Sequence, residues 1–500
     1  MMFPMRKANL SLVLGLALAG MLAGCTLAPT YHRPAAPVGA SYPTGPGYEH
    51  AARDQGKPVQ GAAADVGWRD FFQDPLLRRL IALSLDNNRD LRVAVLNVQA
   101  VQAQYRIQRA SLMPAAAITG TETAQRVPAS LSTSGREATV QDWQVGPTIS
   151  WQIDLFGQVR SLTKAALETY LAQDDTRIAA QLSLISQTAT AYFTLRADQE
   201  LLDLTTQTFK ARQASYDLIK QSYDQGVNSG LDLSQAETAL RTAQSNRSQY
   251  LRQVAQDRNA LVLLLGEPMP ADIAAQLGQA RLLPDNALPL ELPAGLPSDL
   301  LERRPDIRAA EHQLLAANAN IGAARAAFFP TISLTGFAGT ASNSLTGLFM
   351  PGSEAWNLAP KISLPIFQGG SLLANLDLSH VRKNIQIATY EKSIQTGFRE
   401  VADALAGRGT LDDEIGAQRK LVDASQLAYT LSKQRFDAGV DSYLTLLDSQ
   451  RSLYAAQQGL IATRLARLNN QISLYKALGG GWTEKSVVEK PQAAAAKPQS

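Results

Sequence analysis

The chain has one cysteine, Cys25, and four histidines, His32, His50, His312 and His380. A single thiol excludes a disulfide framework within the chain, a Cys-ligated zinc site and a cysteine-bound iron–sulfur cluster. The histidines show no metal-ligand spacing, and neither an HExxH helix nor a phosphate-binding loop is present. No nucleophile–base arrangement is visible, which leaves a hydrolase reading without residues. Arg303-Arg304-Pro305-Asp306 looks basic, but a proline at the first position of a helix explains it structurally. With 47 Lys+Arg against 44 Asp+Glu, the net charge of +3 carries no nucleic-acid footprint. What remains is chemistry done to the chain, at Cys25.

Arg6 and Lys7 form a positive n-region, Leu10–Ala23 is apolar but too short to span a bilayer, and Leu22-Ala23-Gly24-Cys25 places small residues before a cleavage point. The tetrapeptide resembles the bacterial lipobox. Cleavage there would make Cys25 the mature N-terminus, carrying acyl chains as its only covalent group, with no metal and no cofactor. In the lipoproteins that share this motif, the absence of Asp at the next position, here Thr26, leaves the protein free to reach the outer membrane. Acyl chains of this kind anchor a protein without a spanning helix. A plain secretory signal with a chance cysteine is the alternative.

Larger elements must position everything else. The second half of the chain repeats the first at an offset of about 213 residues. YDQGVNSGLDL at Tyr223–Leu233 matches FDAGVDSYLTL at Phe436–Leu446, and RASLMPAAAITG at Arg109–Gly120 matches RAAFFPTISLTG at Arg325–Gly336. A period this long is a tandem duplication. It divides the chain into a lipoprotein signal peptide 1–24, a lipidated N-terminal segment 25–75, repeat 76–266, a connector 267–299, repeat 300–479 and a tail 480–500. Each repeat reads helix, two strands, long helix, tight turn, helix.

From Gln158 to Gln225 there is neither Gly nor Pro, enough for a helix of about 100 Å. Leu171, Ile178, Ile185 and Tyr192, then Leu195, Leu202, Phe209, Tyr216 and Tyr223, keep a heptad beat that argues for coiled-coil packing. The second long helix contains Gly397, Gly407, Gly409 and Gly416, which predict local bends. Shorter helices are expected over Leu76–Met113 and Leu231–Leu265. Gly226 and Gly439 would stop the long helices. Ser229 and Ser442 would cap the helices that follow.

Trp143, Val145, Pro147, Ile149, Trp151 and Ile153 alternate with Gln144, Gly146, Thr148, Ser150 and Gln152. Asn357–Ile366 alternates similarly, with Ala115–Gln125 and Thr331–Ala341 as partners. The pattern matches outer-membrane barrel strands, apolar toward lipid and polar toward a lumen. A half-buried soluble sheet has the same period. Trp143, Trp151 and Trp356 fit an interfacial aromatic girdle, or core packing. No apolar stretch after residue 24 reaches the ~18 residues of a spanning helix. Four strands cannot close a barrel, and lipid does not tolerate an open sheet edge, so membrane strands would require oligomerisation. Strand count alone allows two, three or four copies.

Taken together, these features resemble the outer-membrane factor family, the TolC-like channels, and within it the OprM-type lipoprotein branch of multidrug efflux. GWRDFFQDPLLRRLI from Gly67, RRPDIRAAEHQL from Arg303, AARAAFFPTISLT from Ala323, YLTLLDSQRSLY from Tyr443 and LYKALGGGW from Leu474 carry the resemblance. It implies a mainly α fold with a transmembrane β-barrel: a homotrimer with a 12-stranded barrel in outer-membrane lipid and a 12-helix α-barrel in the periplasm. Partners would be a periplasmic adaptor (membrane fusion) protein and an inner-membrane RND-type transporter that supplies the energy. The channel would do no chemistry and bind no nucleic acid. The aperture of that branch maps onto Leu444 and Asp448: three leucines as an apolar constriction and three carboxylates as a ring favouring cations. A helix-start Asp complementing the dipole is the plainer reading of Asp448. The first repeat has Leu231 but Gln235 at the equivalent sites. The tips, Gly226, Val227, Ser229 and Leu231 with Gly439, Val440 and Ser442, would face the adaptor. A TolC-like channel for protein secretion or metal-ion efflux, and a lipid-anchored periplasmic coiled-coil scaffold without a pore, are the competing functions.

Overall fold

The computed structural model describes residues 26–49, 65–133, 135–279, 282–284, 287–288 and 297–483. Cys25, the expected signal peptide and nearly all of the expected tail lie outside the described residues. In chain order the elements are α1 (Trp68–Phe71), α2 (Pro75–Asn87), α3 (Arg89–Ala110), β1 (Ala115–Val127), β2 (Ala138–Ile153), α4 (Gln158–Asp224), α5 (Gly230–Leu265), α6 (Ala271–Gln279), α7 (Asp299–Arg303), α8 (Pro305–Ala326), β3 (Thr331–Ser342), β4 (Glu354–Ser363), α9 (Ser371–Asp437) and α10 (Tyr443–Ala477). The chain forms two compact units that cut across the repeats. One comprises 1–35, 97–174 and 309–391; the other comprises 36–96, 175–308 and 392–500.

The first unit holds an antiparallel meander in the order β1-β2-β3-β4. β2 and β3, one from each repeat, pair at its centre, with Ile149 opposite Gly336. β4 begins and ends three residues earlier than expected. Pro365 has no N–H to donate to the ladder, so pairing stops at Ser363. Helix contacts in this unit are made by small residues: Ala165, Ala316 and Ala319 form a buried cluster. Gly322 lies against Ala28, where a side chain would overlap the N-terminal segment.

The second unit holds the larger core. Phe71 stacks on Tyr475 at 3.8 Å between ring centroids, and Trp68, Phe72, Ile185, Tyr192 and Leu195 are buried with them. Asp74 caps α2 by accepting from Leu76 N at 2.8 Å, with Pro75 at the first helical position. Arg304 is buried just before α8 and donates to Asp306, to Glu400 at 2.8 Å and to the Ala477 carbonyl at 2.9 Å, tying three helices together.

One expectation is corrected. The helix expected over Leu76–Met113 is two helices, broken at Asn88. The Asn88 Oδ1 accepts from Leu91 N at 3.0 Å to cap α3, while its Nδ2 donates to the Leu264 carbonyl at 3.0 Å. The α9 glycines lie within a helix assigned continuously from Ser371 to Asp437. Three of them serve close approach: Arg304 lies over Gly397, Asn470 over Gly407 and the Gly47 backbone over Gly409. Gly416 has open space around it.

The two kinds of glycine should respond oppositely. Gly409→Val should displace residues 45–48 and lower the thermal unfolding midpoint. Gly416→Ala should raise it, because removing a mid-helix glycine is worth about 1 kcal/mol where nothing clashes.

Candidate functional site

The sheet register puts the alternation of all four strands in phase. Ile118 lies opposite Pro147, Trp151 opposite Leu334, Leu334 opposite Pro360 and Ile332 opposite Ile362, so one face carries an apolar band, which gives way to Glu122, Thr340, Ser342 and Glu354 toward one end. The other face carries Thr119, Gln144, Thr148, Gln152, Ser333, Thr335, Asn357 and Lys361, with Thr119 and Thr148 hydroxyls 2.8 Å apart. Phe337, Val140 and Val127 are apolar exceptions on that face. The apolar face has no covering layer within the unit: Ile118 and Trp356 are 83% and 81% exposed, and Ile149, Leu358 and Ile362 are exposed with them. A half-buried soluble sheet would have hidden these residues. Trp151 lies near the end of β2 and Trp143 near its middle, eight residues earlier. Trp356, opposite Ala338, sits between those levels.

The chain immediately after position 25 is held close to this sheet. Thr26 Oγ1 lies 3.2 Å from Ser161 Oγ in the first turn of α4, and Arg325, near the end of α8, donates to the Leu27 carbonyl at 3.2 Å. The segment continues along α8: Asn318 donates to the Pro29 carbonyl at 2.7 Å, and Glu311 accepts from Tyr31 and from both Nε and Nη2 of Arg33.

The helix tips belong to the second unit. Gly226 and Gly439 have φ of 76° and 73°, the left-handed geometry that ends α4 and α9. Ser229 and Asp232 form a reciprocal capping box at the start of α5. Ser442 occupies the N-cap of α10 but makes no side-chain bond to the backbone; there Arg435 instead grips Asp441 at 2.7 and 2.8 Å. The hairpins meet in one cluster of Ile219, Ala236, Ala239, Tyr443, Leu446 and Leu447. Leu444 and Asp448, one turn apart, are exposed on the opposite face of α10. Val227, Leu231 and Val440 are also exposed. Gln235, the first-repeat counterpart of Asp448, is instead partly covered.

One pair of carboxyls was not anticipated from sequence. Asp198 on α4 and Asp257 on α5 lie about equally far from the Gly226 turn, which puts them level on antiparallel helices. Burial, then the hydrogen-bonded Asp198 carboxyl, pushes Asp257 up to about 7. Burial also raises Asp198. No short motif announces such a pair; only the hairpin register reveals it.

Residues 80–267 and 296–480, one stretch in each repeat, match the family model described as outer membrane efflux protein. The chain belongs to the outer membrane efflux protein family. It is 50% identical over 499 residues to the toluene efflux pump outer membrane protein TtgC of Pseudomonas putida, covering 99% of this chain and 100% of that protein. It is 44% identical over 475 residues to the outer membrane protein OprJ of Pseudomonas aeruginosa, covering 94% and 96%. The crystal structure of the open state of the Neisseria gonorrhoeae MtrE outer membrane channel superposes with a TM-score of 0.79 at 39% identity, covering 93% of this chain and 100% of that one. The fold is that of the TolC-family channels, and four strands per chain are consistent with a trimeric barrel. The family role is that of an outer-membrane exit channel in efflux.

Two measurements probe this geometry. Ser229→Ala should cost about 1 kcal/mol by breaking the capping box, and Ser442→Ala less, read as faster hydrogen exchange in the first turn of α5 but not of α10. Asp257 has a raised folded-state value, so its contribution is full below the ordinary carboxyl range and is lost as pH rises through about 7. The thermal midpoint should therefore fall as pH climbs across that window, and Asp257→Asn should flatten the fall.

Proposed function

We propose that three copies of this chain form a passive exit duct for small toxic compounds, closing a 12-stranded barrel in the outer membrane above a periplasmic 12-helix tunnel. The observation that carries the reading is the sheet: an apolar face without a covering layer, a polar opposite face and two unpaired edges. Lipid and two further copies satisfy all three features at once. The similarity to TtgC supports aromatic solvents and comparable small apolar toxicants as a substrate class. The duct carries out no catalytic step; energy enters through an inner-membrane RND-type transporter joined by a periplasmic adaptor. The exposed apolar tips at Val227, Leu231 and Val440 offer the adaptor its contact.

Lipid on Cys25 fits the same geometry. Thr26, the residue after the proposed lipidation point, is held beside the first turn of α4, immediately after β2. Leu444 and Asp448 form the periplasmic constriction, since both project away from the tip cluster on one face of α10. Three carboxylates there would favour cations in the closed state.

Planar-bilayer recording tests the reading. The full-length protein should conduct. Leu444→Ala combined with Asp448→Ala should raise closed-state conductance severalfold and weaken cation preference. Protein that inserts without conducting would support the pore-less scaffold instead.

A further inference from the structure

The hairpin ends pack around a buried charge that no carboxylate among the described residues neutralises. Arg212 on α4 lies one heptad before Ile219 and so shares the face that Ile219 turns into the tip cluster. Only 5% of Arg212 is exposed, and its Nη1 has no hydrogen-bond partner. Tyr443 faces it, with its neutral hydroxyl buried beside the guanidinium. Tyr429 on α9 is the other aromatic neighbour, and Arg451 on α10 adds a second positive charge. Burial, reinforced by Arg451, disfavours the Arg212 cation.

Other covered arginines of this unit have ion-pair or hydrogen-bond partners. Arg304 holds Asp306 and Glu400. Arg464 holds Glu200 at 3.0 Å. Arg196 donates to the Tyr192 hydroxyl, which in turn donates to Asp74. Arg212 makes no ion pair with a carboxylate among the described residues. A buried ion without a counter-charge keeps most of its desolvation penalty. That penalty is relieved when the packed helix ends separate and water reaches the guanidinium.

We propose that Arg212 is a positioning residue of the aperture: its buried, uncompensated guanidinium biases the packed hairpin ends toward separation and so sets how readily the constriction opens. The proposal rests on reading Leu444 and Asp448 as that constriction. Arg212 acts from behind, through Tyr443, the first residue of the helix that carries both. Tight apolar packing at Ile219, Leu446 and Leu447 holds the ends together, and the buried charge keeps that hold from becoming permanent.

The test uses the full-length protein in planar bilayers, with assembly checked as a heat-modifiable oligomer on gels. Arg212→Met removes the charge and keeps much of the volume. It should lower open probability severalfold, while Arg212→Lys, which keeps the charge, should stay near wild type. Arg212→Gln is the second neutral variant should the Met protein fail to assemble, and it should move in the same direction. Open probability equal to or above wild type in the neutral variant would overturn the proposal. The Leu444→Ala, Asp448→Ala protein runs in parallel. If it conducts more while the neutral Arg212 variants are unchanged, the aperture stands and the role of Arg212 fails. If neither changes, the aperture reading fails and takes the proposal with it.

Discussion

Backbone N–H and C=O groups in a bilayer must all be paired, and a four-stranded sheet cannot pair its own edges. That constraint governs the rest of this molecule. β1 and β4 each present an open edge, and the in-phase register exposes an apolar band on one face opposite a largely polar one. The protomer by itself is therefore an incomplete object. The same incompleteness recurs in its helices. α3 buries only Leu91, and the heptad positions Leu171, Ile178, Leu202, Phe209 and Tyr216 of α4 are half-covered. Surfaces of this kind call for further copies of the chain.

The duplicated unit supplies the strands and helices in equal shares, yet the two copies have diverged where conduction would be controlled. The first tip is closed by the Ser229–Asp232 capping box and carries Gln235. The second is braced by Arg435 and Asp441 and carries Asp448 beyond Leu444. An exposed ion pair such as Arg435–Asp441 adds little to stability. Its value lies in fixing the turn that presents Leu444. Rigidity is concentrated elsewhere, at the Arg304 clamp and the aromatic stack of Phe71 on Tyr475.

Much of the architecture was legible in the sequence because it is written in period. The strand alternation, the heptads and the repeat located the sheet, the long helices and both tips. Features that depend on a distant partner were not legible. Asn88 ends α2 because its side chain reaches Leu264, and no local signal marks that. That Gly397, Gly407 and Gly409 admit Arg304, Asn470 and the Gly47 backbone could not be read from their place in the sequence. The Asp198–Asp257 pair and the uncompensated Arg212 require the hairpin register and the burial of particular faces. In the candidate site, Leu444 and Asp448 were reached through family resemblance; what the structure adds is that both are exposed on one face of α10.

The central claim is that the fold is completed only by oligomerisation. Its most direct test is the mass of the detergent-solubilised full-length protein, measured by light scattering with the detergent contribution subtracted. The account predicts three chains per particle, released as single chains on heating with loss of the β-sheet signal. A stable single chain that retains that signal, or a particle of two or four chains, would contradict it.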